Sequence, residues 1–383
     1  MPQVLILGGQ GRIGQSVATD LLAHSEADLV LTGRTERRMG LRHSRIRYLA
    51  LDLADQPTLS DAIAASNLVI HCAGPFRYRD TAVLESCIQQ GVNYLDVSDD
   101  RAFTQKALQL RELARVAGVT AIVNTGVFPG ISNSLFRMGV EQLDVAERIH
   151  LSYVVSGSGG SGVTVMRTTF LALQQPFLAW INGQWQSVQP YSDREWVELP
   201  TYGRSAVYWF DMPEAYTLVE AFPVQTVITK FGSHPDFYNY LTWAAARWFP
   251  PRAMRHPHMI EFLAQVSYAM TGVSDRLTGI GVAMQASIYG QNQAQSSCYR
   301  LSFSHAHTAT AAGQGTGSIA QALLAGELRH PGVWSVEQAV PSDLFAQSMR
   351  QRGLEIEQGF ISDGQVKTDS LRKPSNDKDM LNR

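Results

Sequence analysis

With 383 residues, the chain exceeds the size at which one hydrophobic core keeps growing, and two domains are expected. Its 45% hydrophobic and 17% charged residues exclude a disordered polymer, and a formal net charge of -2 offers no basic surface for nucleic acid. Cys72, Cys87 and Cys298 lack metal-ligand spacing and read as free thiols in a reducing compartment. No export signal and no apolar run of about 18 residues is found, so a cytoplasmic protein without a transmembrane helix is expected.

From residue 3 onward, short β-branched runs alternate with helical patterns, the rhythm of a parallel sheet covered by helices. Strands are predicted at 4–7, 29–32, 47–51, 68–71, 94–97 and 120–123, and helices at 13–23, 58–65, 80–90 and 102–117. Gly91 and Gly118 stand where left-handed residues end two of these helices. After about residue 150 longer strands prevail, at 149–155, 206–210, 224–230, 279–289 and 296–304, with a hairpin turn at 290–293. Helices are predicted among them at 163–173, 236–248 and 259–270, which makes this a mixed sheet. Residues 308–353 read as largely helical, and 364–383 as a polar, mobile tail. The fold class expected is α/β, a Rossmann-type parallel sheet followed by a second, mixed α/β domain.

Gly9, Gly11 and Gly14 form a GxGxxG pattern directly after the first strand and open a helix. Gly9 would permit the tight turn, Gly11 the approach of a pyrophosphate, and Gly14 close packing of helix on strand. The amides of Arg12 and Ile13 would meet the phosphates at the helix N-terminus. At the end of the second strand, where an NAD site places an acid, stand Thr32, Gly33, Arg34 and Thr35. Arg34 can pair with a 2′-phosphate, so NADP(H) is preferred over NAD(H), with Thr35 beside it; a solvated basic loop is the alternative. Asp52, after the third strand, reaches the adenine end or caps the next helix. Ala73, Gly74 and Pro75 follow the fourth strand at the carboxyl edge, where the backbone can pass close to the nicotinamide ribose.

These residues, with the Cys72–Phe76 run, the Gly91-Val-Asn-Tyr-Leu-Asp-Val-Ser-Asp-Asp100 stretch and the Gly126–Asn133 run, resemble the saccharopine dehydrogenase-like oxidoreductases. The resemblance implies a split first domain, residues 1–147 plus about 308–362, to which the C-terminal helices return. It also implies a substrate domain at 148–307 that carries dimer contacts, hence a homodimer. It does not imply saccharopine as substrate, since the basic residues needed to hold several carboxylates are not evident.

Hydride transfer needs a group that exchanges a proton. Asp96, Ser98, Asp99 and Asp100 lie at the carboxyl rim of the fifth strand. There they act on the substrate or cap the next helix. Gly157-Ser-Gly-Gly-Ser-Gly162 precedes a helix carrying Arg167, the preferred contact for a substrate carboxylate or phosphate; the loop serves as an anion site or as a joint. His256, His258, His305 and His307 have no further ligands at a recognisable spacing, and no metal is expected. The aromatic and basic stretch 237–270 is expected to pack on the second sheet. If exposed, it would favour a hydrophobic substrate or peripheral membrane contact. The expectation is an NADP(H)-dependent oxidoreductase for a small or lipid-like substrate, or else a non-catalytic NADP(H)-binding sensor.

Overall fold

The computed structural model describes residues 1–35, 41–159, 163–248 and 257–361. The chain forms two compact units, Met1–Ser134 with Ala309–Gly353, and Leu135–Thr308 with the segment that begins at Leu354.

In chain order the first run comprises β1 (Gln3–Leu7), α1 (Arg12–His24), β2 (Asp28–Gly33), β3 (Ile46–Ala50), α2 (Gln56–Ala64) and β4 (Leu68–His71). It continues with α3 (Ala82–Gln90), β5 (Asn93–Asp96), α4 (Arg101–Leu108), α5 (Arg111–Val116), β6 (Thr120–Val123) and α6 (Ile131–Val140). The second run holds β7 (Val145–Ser156), α7 (Val163–Ala172), β8 (Phe177–Ile181), β9 (Gln184–Val188), β10 (Glu195–Leu199) and β11 (Gly203–Trp209). There follow α8 (Glu214–Ala221), β12 (Thr226–His234), α9 (Phe237–Trp248), α10 (Pro257–Thr278), β13 (Val282–Asn292) and β14 (Gln295–His305). The chain closes with α11 (Thr308–Ala325), β15 (Gly332–Ser335), α12 (Val336–Ala339), α13 (Ser342–Gln351) and β16 (Ile356–Ile361).

Sheet one has the order β15-β6-β5-β4-β1-β2-β3, and its neighbours pair in parallel. The central strands are apolar throughout because helices cover both faces: Leu5, Ile6, Val69, Ile70, Leu95 and Ile122 are wholly buried. Strand order reverses between β1 and β4, the switch point at which doubly wound sheets bind their ligands. Gly91 and Gly118 both adopt the left-handed conformation expected of them.

Sheet two has the order β10-β11-β12-β7-β13-β14-β16; β12 and β7 run parallel, the other pairs antiparallel. Gly139 of α6 lets this helix close on Ile288 and Leu301, where a Cβ would overlap their side chains.

Several local expectations are revised. The helix foreseen at 102–117 is two helices, α4 and α5. The hairpin turn lies at Gln293 and Ala294 rather than 290–293, because the ladder runs to Asn292 opposite Gln295. Both turn residues have positive φ, as a two-residue turn of this hand requires. The stretch 308–353 contains a strand, β15, and β16 pairs with β14 of sheet two rather than joining the first unit. The first unit ends at Ser134, not at 147. Residues 364–383 lie outside the described residues.

Candidate dinucleotide site

The turn after β1 is built on four glycines, not three. Gly8 is the one with left-handed backbone (φ 74), so it makes the tight turn assigned above to Gly9. A Cβ on Gly8 would meet the backbone of Cys72 and Ala73 at 3.0 Å, which brings the turns after β1 and β4 together. Gly9 instead permits contact with β2, since a Cβ there would lie 2.9 Å from Leu31 Cα. Gly14 presses α1 onto the turn, 2.5 Å from the Gly8 carbonyl oxygen on the same test.

Thr32 of β2 ties this turn down in a way the sequence reading missed. Its hydroxyl accepts the Gly8 amide at 3.1 Å and its carbonyl accepts the Gln10 amide at 3.2 Å. The Gln10 side chain covers Gly33 and donates to the Thr35 carbonyl at 3.2 Å. A small polar residue at the end of a buried strand was the available signal.

Gly11 is the N-cap of α1, with no side-chain cap and no acidic residue in the first turn. The positive end of this helix therefore faces the turn with nothing anionic of its own, which suits a diphosphate. Arg12 is exposed and Ile13 half-buried in that first turn. Arg34 and Thr35 follow β2 and are exposed; Glu36, Arg37 and Arg38 lie outside the described residues. Asp52 does not cap α2. That role falls to Asp55, which accepts the Thr58 amide at 3.3 Å, while the exposed Asp52 accepts the Ala54 amide in a turn at 3.0 Å. Ala73, Gly74 and Pro75 are half-buried, and Arg79 holds the Ala73 carbonyl at 2.9 Å.

At the end of β5 the acids are divided by burial. Asp96 and Ser98 are 0% exposed. Asp96 Oδ1 accepts the amides of Ser98 and Asn124, both at 2.9 Å, and the Asp96 carbonyl accepts the Thr125 amide and hydroxyl at 2.8 Å. Burial raises the Asp96 carboxyl to about 6 against the opposing pull of the two amides and the Tyr94 hydroxyl. Tyr94 in turn lies 3.2 Å from His71 Nδ1, and burial keeps that imidazole neutral, lowered to about 3. In this geometry Asp96 and Ser98 face the interior, and Asp100 is the N-cap of α4, accepting the Phe103 amide at 2.9 Å. Phe76 is likewise buried, against His71 and Phe103.

The Gly126–Asn133 run serves the returning segment. Asn133 accepts the Gly130 amide at 2.8 Å and donates to the buried Glu337 at 2.8 Å, while Thr316 donates to the Thr125 carbonyl at 3.0 Å.

In the second unit, Arg167 makes a two-pronged ion pair with Glu261 of α10, at 2.5 and 2.9 Å. That pairing, with a hydrogen bond from Gln265, holds the exposed Glu261 carboxyl down at about 2. The start of the glycine-rich loop is also engaged, since Ser158 donates its amide and hydroxyl to Asp275 at 2.7 and 2.6 Å. Its remainder, 160–162, lies outside the described residues, as does His256. Among the described residues, no group of three or more His, Cys, Asp or Glu could hold a metal. The 237–270 stretch does not simply pack inward: Phe237 is 55% and Phe262 61% exposed, with Tyr240, Leu241 and Val266 also exposed. No described helix is long and apolar enough to cross a membrane.

A parallel Rossmann-type unit with an uncapped, acid-free helix start after its first strand is the architecture of a dinucleotide-binding domain. Residues 4–122 match the saccharopine dehydrogenase NADP binding domain. It is 25% identical over 319 residues to carboxynorspermidine synthase of Vibrio cholerae, covering 75% of this chain and 76% of that protein. It is 26% identical over 120 residues to a probable mitochondrial saccharopine dehydrogenase-like oxidoreductase of Arabidopsis thaliana, a match confined to 27% of this chain and 26% of that one. In fold it is similar to saccharopine dehydrogenase (L-Glu forming) of Saccharomyces cerevisiae, with a TM-score of 0.68, 13% identity, and coverage of 94% and 100% of the two chains.

Proposed function

We propose that this protein is an NADP(H)-dependent oxidoreductase that transfers hydride to or from a small substrate. The observation that carries the reading is the first turn, pinned to β2 by Thr32 and to the turn after β4 by Gly8, beneath the uncapped start of α1. Bound there, the cofactor would supply the hydride. Gly9, Gly11, Arg12, Ile13 and Gly14 would hold its diphosphate, and Arg34 with Thr35 the 2′-phosphate. Asp52 would lie toward the adenine, and Ala73, Gly74 and Pro75 would shape the nicotinamide side.

For the substrate, an amine bearing a carboxylate is the class to try first, because the relative matched over most of its length is named for carboxynorspermidine. Titration calorimetry with NADPH and NADH tests the cofactor half. Binding of NADPH with NADH weaker is expected, and no heat with either would sink the proposal. NADPH oxidation in the presence of aldehyde and amine pairs, and of enoyl compounds, tests the chemistry.

A second reading, a non-catalytic NADP(H) sensor, is favoured by the state of the candidate catalytic residues. Asp96 and Ser98 are buried and Arg167 is engaged by Glu261. NADPH binding without turnover across such a screen would select it. A homodimer in the cytoplasm is part of either reading, checked by sedimentation and cell fractionation. The exposed aromatic residues of α9 and α10 are where a hydrophobic substrate or a membrane surface would touch.

A further inference from the structure

Three loops follow β4, β5 and β6 at the carboxyl edge of sheet one, and one buried carboxylate reaches into the hydrogen bonding of two of them. Asp96 ends β5. Through Oδ1 it holds the amide of Ser98, in its own loop, and that of Asn124, in the loop after β6. Asn124 has left-handed backbone (φ 64) and returns the tie, donating through Nδ2 to the Ser98 carbonyl and the Thr104 hydroxyl, both at 2.8 Å. The contact with the third loop runs through Tyr94, whose hydroxyl lies between Asp96 and His71, and His71 leads into Cys72 and Ala73. Asp96 Oδ2 and His71 Nε2 are buried without hydrogen-bond partners.

We propose that Asp96 is a positioning residue for the cofactor, whose ionised carboxylate fixes the loops on the nicotinamide side. The proposal rests on the dinucleotide reading above and adds to it a residue that acts without touching the ligand. A hydrogen bond to a charged acceptor is about twice as strong as one to a neutral acceptor, so protonation slackens both amide ties at once.

The groups facing Asp96 are the Ser98 and Asn124 amides and the Tyr94 hydroxyl, all neutral, with the Cys72 thiol beside them. The Asp96 charge helps to push that thiol up to about 12, after burial, and His71 stays neutral; neither titrates between pH 5 and 8. With its carboxyl raised to about 6, Asp96 is ionised at pH 8 and mostly protonated at pH 5.

The test is calorimetry of NADP+ binding to the full chain from pH 8 to pH 5. The 2′-phosphate of NADP+ titrates in the same range but does so equally for every variant. Wild type is expected to lose roughly fivefold more affinity over this step than Asp96→Asn, which cannot ionise. Tyr94→Phe supplies a second arm that keeps the carboxylate. Removing the hydroxyl that favours the charge should retain the loss but move its midpoint to higher pH. Parallel profiles for wild type and Asp96→Asn, or an unmoved midpoint in Tyr94→Phe, would overturn the proposal while leaving the cofactor site intact. Wild type that binds no NADP+ at pH 8 overturns both.

Discussion

Arg352, at the end of α13, makes a buried two-pronged ion pair with Asp20 of α1, with Nη2 to Oδ2 at 2.7 Å and Nε to Oδ1 at 2.9 Å. The two residues are 332 positions apart, and Gln321 of α11 accepts from the same guanidinium at 3.0 Å. Gly317 of α11 lets that helix lie against Asp20, where a Cβ would overlap the carboxylate. The returning segment is thus fastened to the helix that starts at the cofactor turn.

Breaking this pair from one side leaves a buried charge without its partner. Arg352→Ala should therefore cost about 3–5 kcal/mol, read as a lower urea midpoint. Replacing both residues by apolar side chains of similar volume should recover much of the loss. A single variant as stable as wild type would show that the pair is not needed to hold the segment.

Thr32→Val keeps volume but removes the hydroxyl that accepts the Gly8 amide. Leaving this part-buried amide without its partner should lower stability by about 1 kcal/mol, and NADPH should bind more weakly because the turn is no longer held to β2. Thr32→Ser should restore affinity. If Val binds as well as Thr, the turn does not depend on this bond.

Gly8→Ala places a Cβ both at a left-handed φ and 3.0 Å from the Cys72 and Ala73 backbone. Loss of NADPH binding with a lowered Tm is expected, since the residue cannot shift without opening the turn. By contrast, Gly91→Ala has the same backbone hand but nothing within 4 Å, and should lower Tm by a few degrees with NADPH affinity unchanged.

Arg34→Ala should weaken NADPH by about 10- to 100-fold, the scale of a lost charge-assisted contact, and leave NADH nearly unchanged. Calorimetry with both cofactors checks it. Equal losses for the two would mean that Arg34 supports the fold of the loop rather than the 2′-phosphate.

Local patterning carried the cofactor unit. Strands β1 to β6 of sheet one are read within a residue or so of their observed ends, because strands buried on both faces leave continuous apolar runs and helices between them announce themselves by period, whereas β15 is not read as a strand. Polar edge strands such as β9 and β16 leave no such signal. They are strands only because a neighbouring strand offers its ladder, which is why β16 was expected elsewhere.

Residue types alone placed the glycines at the cofactor turn and Arg34 where an acid would otherwise stand, since both follow from spacing along one strand-turn-helix unit. Which of those glycines turns left-handed, that Thr32 holds the turn, that Asp96 and Ser98 point inward and that Arg167 belongs to Glu261 were decided by folding. Burial and pairing are properties of neighbours brought together from distant positions, and no local pattern encodes whether a carboxylate will meet water or two backbone amides.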